Sequence, residues 1–118
     1  MKIVTWNSCG VRHAPFRREC KELLKMHKPD VICFLETKVD EESLDLCFML
    51  RFDFDKQFKI PSLGRAGGLW LFWKSLSVDL EVLSSTNQAI HYSLKRQRIT
   101  FTVTFVYVQL HSAMKTKF

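Results

Sequence analysis

The 118-residue sequence has little glycine and proline and no long apolar segment. Its four glycines and three prolines exclude collagen-like and low-complexity chains. No apolar run reaches the roughly 18 residues that a transmembrane helix needs. The first residues form a strand-like pattern and not a secretory signal peptide. We therefore expect an intracellular protein with no signal peptide, no transmembrane segment and no membrane partner.

The four cysteines do not form a metal-binding pattern. Cys9, Cys20, Cys33 and Cys47 include no Cys-x-x-Cys pair, and no histidine lies at zinc-finger spacing from such a pair. Cys33 lies inside an apolar run, and Cys20 and Cys47 lie on apolar helical faces. We expect reduced and mostly buried thiols, which are typical of intracellular proteins.

The composition is that of one small folded domain. Hydrophobic residues make up 47% of the chain and charged residues 25%. Lys and Arg total 18 against 12 for Asp and Glu, so the formal net charge is +6. This balance indicates a polyanionic partner and favours nucleic acid over an anionic membrane.

The first 35 residues predict a strand over residues 2–7, a helix over residues 16–27 and a strand over residues 31–35. Such a unit is a right-handed crossover with parallel strands. Polar residues just past the ends of parallel strands gather at one edge of the sheet. We therefore expect Asn7 and Glu36 to lie at the same edge.

The rest of the chain predicts one more helix and several strands. These are a helix over 40–50, a strand from Phe52 to Ile60, a buried strand over 67–73 with 78–83 as its hairpin partner, a weaker strand over 89–94 and a long strand over 99–108. The basic turn between the last two strands, residues 95–98, is either a solvated hairpin or a phosphate contact. One face of the long strand carries Ile99, Phe101, Val103, Phe105 and Tyr107.

Asn7 and Glu36 are the main candidates for chemistry. A carboxylate and an amide oxygen are ligands that suit Mg²⁺, and such a site can activate water or stabilise charge on a phosphate. The alternative is that Asn7 caps a turn and Glu36 is solvated. Lys38 either meets a phosphate, balances the carboxylate of Glu36 or is a solvated surface lysine.

Other residues allow two interpretations each. Tyr107 either reaches a phosphate at the same edge or packs at the rim of the core. Gly67 and Gly68 indicate close backbone packing or a bulge, because no Lys-Ser/Thr follows them as in a phosphate-binding loop. His91 has no evident partner and is expected to be structural or exposed.

Four segments together resemble one superfamily. They are residues 1–10 with Trp6-Asn7, residues 28–38 ending in Glu36-Thr37-Lys38, residues 67–74 and residues 106–108. In this order and spacing, residues 1–110 resemble the N-terminal part of the endonuclease/exonuclease/phosphatase superfamily. They are most similar to the apurinic-like endonuclease domain of plant non-LTR retrotransposons, whereas residues 111–118 form an unpatterned tail.

The resemblance implies an α/β fold, as the truncated N-terminal half of a two-sheet α/β sandwich. It also implies DNA as the partner and Mg²⁺-dependent hydrolysis of a phosphodiester, with Mn²⁺ as a substitute and no small-molecule cofactor. A DNA partner makes the nucleus one expected compartment. By this resemblance Glu36 is the metal ligand, Asn7 lies at the metal and phosphate site, and Tyr107 contacts or orients the scissile phosphate.

The sequence also departs from the family pattern. The later Gly-Asp-x-Asn and Ser-Asp-His motifs do not occur in it, and Cys9 stands where many apurinic endonucleases carry Asp. We therefore expect this chain alone to be inactive. The alternatives are a nucleic-acid-binding remnant without catalysis, a non-functional gene fragment, or a phosphorylated lipid or sugar as substrate. Without a second half, we expect uncovered apolar faces, on the last strand and on the Val31 and Leu69 strands, to cause self-association.

Overall fold

The computed structural model describes residues 1–8, 10–12, 14–39, 47–63, 67–96 and 98–106. In chain order the elements are β1 (Ile3–Asn7), α1 (Phe16–His27), β2 (Val31–Leu35), a 3₁₀ helix (Cys47–Phe52), β3 (Lys56–Ile60), β4 (Leu69–Trp73), β5 (Asp79–Ser85), β6 (Ala89–Arg96) and β7 (Ile99–Val106). Tyr107, the tail and most of the helix predicted over 40–50 lie outside the described residues. Within the described part, no helix is long and apolar enough to cross a membrane.

Helix α1 has the bounds that its periodicity predicts. Phe16, Cys20 and Leu24 recur every four residues on one face and are buried. Lys28 ends the helix in the left-handed conformation, with φ 45°, and its backbone N–H donates to the carbonyl of Leu24 at 3.0 Å. Pro29 follows and prevents the helix from continuing.

The first sheet has the strand order β1-β2-β4-β3. β1 and β2 are parallel, as the strand–helix–strand pattern predicts. β4 is antiparallel to both β2 and β3, so both of its edges are paired. The central strands β2 and β4 are almost entirely buried, which explains why their sequences are continuously apolar.

The two faces of the first sheet pack against different partners. One face meets α1 through alternate residues of the central strands, namely Ile32, Phe34, Trp70 and Phe72. The other face meets the second sheet through Val31, Cys33, Leu69 and Leu71. The second sheet contributes Leu80, Ile90, Tyr92 and Leu94 to this core. The fold therefore has three layers, which are helix α1, the mixed first sheet and the antiparallel second sheet.

The second sheet has the order β5-β6-β7. The prediction that β5 is the hairpin partner of β4 is wrong, because β5 pairs with β6 and both edges of β4 are already occupied. A turn at Lys74 carries the chain across, with the N–H of Val78 donating to the carbonyl of Lys74 at 3.0 Å. The apolar residues Val78 and Leu80 then face the first sheet.

The structure differs from two further predictions. The alternation from Phe52 to Ile60 predicts one strand, but Asp53 turns the chain with φ 71°, and the strand begins at Lys56. The Val31 and Leu69 strands were expected to lack cover, yet both residues have no exposed surface, because the second sheet lies over them. The exposure expected of the last strand is found at the start of β7, where Ile99 is 56% exposed and Phe101 46%.

Candidate metal site at the sheet edge

Asn7 and Glu36 lie at the same edge of the first sheet. Asn7 is the last residue of β1, and it is paired in register with Leu35, the last residue of β2. Glu36 follows directly, so the parallel pairing brings the two positions together as expected. Asn7 is exposed, and the side chain of Glu36 is 25% exposed.

Trp6 anchors the strand that carries Asn7. Its ring stacks on Phe16 of α1 at 5.4 Å between centroids, and it meets Phe34 of β2 edge-on at 5.7 Å. Because side chains alternate along a strand, fixing Trp6 towards the helix directs Asn7 to the opposite side. The Trp-Asn pair therefore combines a packing residue with an exposed amide.

The backbone at Glu36 leaves the strand in an uncommon conformation. Its φ is 55°, in the left-handed region, which costs a residue with a Cβ roughly 1–2 kcal/mol. The segment after β1 holds it there: the carbonyl of Glu36 accepts the N–H of Gly10 at 2.8 Å and the hydroxyl of Ser8 at 3.3 Å. Ser8 also donates its N–H and its hydroxyl to the carbonyl of Leu35, each at 3.0 Å.

Gly67 and Gly68 hold the next two residues of this turn. The N–H groups of Thr37 and Lys38 donate to the carbonyls of Gly68 and Gly67 at 3.2 and 2.8 Å. Thr37 is fully buried, and a Cβ built on Gly68 would lie 2.1 Å from its hydroxyl oxygen. This confirms close backbone packing as the role of Gly68. The clamp formed by Ser8 and Thr37 was not predicted, and the glycine pair was its only signal in the sequence.

Lys38 balances the carboxylate of Glu36. Its ammonium nitrogen lies 3.6 Å from Oε1 of Glu36, and its side chain is 41% exposed. An exposed pair of this kind contributes only about 0–1 kcal/mol, so it can exchange readily for another cation. Lys38 also has a left-handed φ of 58°, which belongs to the same clamped turn.

The donor atoms at this edge suit a hard divalent cation. A carboxylate and an amide supply oxygen ligands, and Mg²⁺ typically takes one or two carboxylates while keeping several waters. Among the described residues, no group of three or more His, Cys, Asp or Glu side chains could hold a metal. Asn7 and Glu36 thus bring two oxygen donors to one edge, which is the donor type that a hard divalent cation takes.

The other predicted candidates are not at this edge or cannot be assigned to it. Tyr107 lies outside the described residues, which end at Val106 of β7. His91 of β6 lies opposite Thr104 of β7, with 2.6 Å between Nδ1 and the threonine hydroxyl oxygen, and it is half-buried. Arg98 is exposed at the hairpin between β6 and β7.

Comparison with known proteins finds similarity in structure alone. Neither a family model nor a curated protein sequence matches the chain. Among solved structures, the AP endonuclease LMAP from Leishmania major superposes with a TM-score of 0.69 at 17% identity, over 98% of this chain and 43% of that one. The catalytic domain of APE2 from Xenopus laevis gives 0.60 at 24% identity, over 99% and 48%.

A third structure, the 3′ phosphatase NExo from Neisseria bound to product DNA hairpin, gives a TM-score of 0.57 at 17% identity, over 80% of this chain and 37% of that one. The chain thus spans less than half the length of each of these proteins. Over that span it has the two-sheet α/β fold of the AP endonuclease/exonuclease/phosphatase proteins.

Proposed function

We propose that this chain forms part of a metal-dependent phosphodiester hydrolase of the DNA endonuclease kind. The observation that carries the proposal is the in-register parallel pairing of β1 with β2, which brings Asn7 and Glu36 to one sheet edge. The shared fold supports it, since the similar structures are AP endonucleases and a DNA-bound 3′ phosphatase. The net charge of +6 supports a DNA partner.

In this proposal Glu36 binds a divalent cation through its carboxylate, and Asn7 binds the cation or a phosphate oxygen through its amide. When bound, Mg²⁺ or Mn²⁺ supplies positive charge that stabilises a phosphate under attack. Lys38 competes with the cation for Glu36 and is expected to turn away when the cation binds. The clamp of Ser8 and Thr37 fixes the direction of Glu36, which is what metal binding by so few ligands requires.

The resemblance in sequence narrows the proposal to the retrotransposon type of endonuclease, acting inside the cell and on nuclear DNA. It also assigns the phosphate contact to Tyr107. Because Gly-Asp-x-Asn and Ser-Asp-His are absent from these residues, the general base and much of the charge stabilisation would come from elsewhere. We therefore propose that these 118 residues alone bind metal and DNA without cleaving DNA.

Mn²⁺ titration followed by paramagnetic broadening of amide signals tests the metal site. We expect binding with millimolar affinity at best, because few protein ligands are available. Broadening should be strongest near Asn7 and Glu36, should disappear in Glu36→Gln and should strengthen in Lys38→Met. Glu81→Gln, which removes an exposed carboxylate from β5 in the other sheet, is the matched control. Broadening that persists in Glu36→Gln would contradict the site.

A plasmid-nicking assay with Mg²⁺ tests the proposal that these residues alone do not cleave DNA. We expect no nicking above background by the purified chain. Nicking that is lost in Glu36→Ala would mean that the chain carries a complete catalytic set.

A DNA-binding remnant without metal chemistry is the second candidate, favoured by the net charge of +6. It predicts DNA affinity that falls steeply with salt and is the same in Glu36→Gln.

A further inference from the structure

A basic cleft lies at the end of the first sheet opposite Asn7 and Glu36. Lys28 comes just before β2, and Lys74 directly follows β4, which runs antiparallel to β2. Both therefore lie at the sheet edge where β2 begins, not where it ends. Arg51 and Asp53, at the end of the 3₁₀ helix, line the same cleft, which has a volume of about 380 Å³.

The side chains that line the cleft carry more positive than negative charge. Four cationic side chains line it, from Lys25, Lys28, Arg51 and Lys74, against the single carboxylate of Asp53. The ion pair between Glu36 and Lys38, elsewhere in the described part of the chain, involves none of these four cations. Such a surplus in one concave site attracts anions more strongly than cations spread over a convex surface.

Two further carboxylates, Asp30 and Asp55, are next to lining residues in the sequence but do not line the cleft, and they offset part of its positive charge. Asp30 accepts the backbone N–H of Lys2 at 2.8 Å. Asp55 accepts the N–H of Ser75 at 2.9 Å and also accepts the Ser75 hydroxyl. The four cations of the lining still outnumber the three carboxylates of Asp30, Asp53 and Asp55.

The floor of the cleft is apolar. Leu24, Pro29 and Phe54 are buried there, and Phe52 is half-buried. The ammonium of Lys74 lies 5.1 Å from the ring centroid of Phe54, which fixes one of the cations against this floor. A ligand that fits both parts needs an anionic group for the rim and a flat apolar group for the floor.

The walls of the cleft are preformed. Lys28 and Asp53 both adopt left-handed backbone conformations, with φ of 45° and 71°. Backbone hydrogen bonds hold the second of these turns, where Asp53 donates to Leu50 at 3.0 Å and Phe54 donates to Met49 at 3.2 Å. Because the shape is set before binding, a ligand loses little affinity to ordering the site.

We propose that this cleft is a nucleotide-binding site, separate from the Asn7–Glu36 edge, that takes the phosphate of a nucleotide on its basic rim and the base on its apolar floor. Its volume is within the range of about 300–1,000 Å³ that small-ligand sites occupy. The negative end of the α1 dipole faces this region, so the phosphate is expected nearer Arg51 and Lys74 than Lys28. The nucleotide is either free or part of a DNA strand, since both present the same chemistry.

The test uses amide chemical shifts of the full chain in EDTA, so that a metal at Glu36 contributes nothing. The probes are dAMP, a six-residue deoxyadenosine oligonucleotide, inorganic phosphate, deoxyadenosine and a hexaglutamate peptide. We expect dAMP to shift amides of residues 24–28 and 51–54 and to bind more tightly than phosphate or deoxyadenosine. Equal affinity for dAMP and oligonucleotide would identify a single nucleotide as the ligand, whereas a much tighter oligonucleotide would identify a strand.

Matched variants separate this site from general attraction between charges. Arg51→Gln and Lys74→Gln should each weaken dAMP binding about tenfold, since one hydrogen bond to a charged group has about that effect. Lys95→Gln removes the same charge from an exposed position on β6 and should leave binding unchanged. An equal loss in Lys95→Gln, hexaglutamate binding as tight as dAMP, or shifts confined to the Asn7–Glu36 edge would overturn the proposal. Because no metal is present, failure here leaves the Mn²⁺ test of Glu36 unaffected.

Discussion

Replacing Gly68 by alanine tests how the turn that carries Glu36 is held. A Cβ at Gly68 would lie 2.1 Å from the hydroxyl oxygen of Thr37 and 3.3 Å from the backbone nitrogen of Lys38. Atoms that are not bonded do not approach to 2.1 Å, so either Thr37 or the start of β4 must move. In addition, Gly68 has φ +93°, a conformation that residues with a Cβ rarely adopt.

The expected loss of stability has two parts. Backbone strain at a positive φ costs about 1–3 kcal/mol, and overpacking costs about 1–3 kcal/mol more. The sum is a large share of the about 5–15 kcal/mol that stabilises a typical domain. Because Thr37 donates its N–H to the carbonyl of Gly68, the same shift reaches Glu36, and Mn²⁺ affinity should fall in whatever remains folded.

Urea unfolding of Gly68→Ala measures the loss, and Gly10→Ala is the matched control. Gly10 has a similar φ of +98°, but its added Cβ would only touch the flexible side chain of Lys38 at 3.5 Å, so only the backbone part applies. In a Thr37→Ala background the shortest remaining contacts are 3.3 and 3.4 Å, and Gly68→Ala should cost less there. Equal costs for the two glycines, or equal costs in both backgrounds, would refute the reasoning.

Three other outcomes are expected. Burial raises the pKa of the Cys20 and Cys33 thiols to about 12, so a thiol reagent at pH 8 should label them only after unfolding; mass spectrometry of labelled peptides checks this, and rapid native labelling would contradict it. Hydrogen bonds from the Ser75 hydroxyl and N–H lower the pKa of Asp55, so its stabilising contribution is present above the unfolded pKa, near 4, and is lost as pH falls through the lower folded pKa. The urea midpoint of Asp55→Asn should therefore lie further below that of the unmodified protein at pH 7 than at pH 3, and an equal gap would argue against it. Finally, Phe101→Lys on edge strand β7 should reduce self-association in sedimentation if the exposed apolar edge causes it, whereas an unchanged profile would place the contact elsewhere.

Local patterns predicted the elements that pack on one side of the site. The four-residue spacing of Phe16, Cys20 and Leu24 determines which face of α1 is buried, and that pattern is complete within twelve residues. The continuous apolar run of β2 likewise indicates a strand buried on both faces. The partner of β5 was not predictable in this way, because it depends on whether distant β3 has already occupied the free edge of β4.

The candidate site also has one part that the sequence predicts and one part that it does not. The strand ends at Asn7 and Leu35, with the rule that crossovers are right-handed, are enough to bring Asn7 and Glu36 to one edge. The direction of the Glu36 side chain depends instead on a left-handed backbone, and glutamate, unlike asparagine or glycine, does not indicate that conformation in a sequence. The conformation is imposed from outside, by Gly10 and Ser8 on one side and by Gly68 through Thr37 on the other. Residues about 30 positions away on either side of Glu36 thus hold the backbone from which its side chain extends, so substitutions that remove no metal ligand are expected to weaken metal binding.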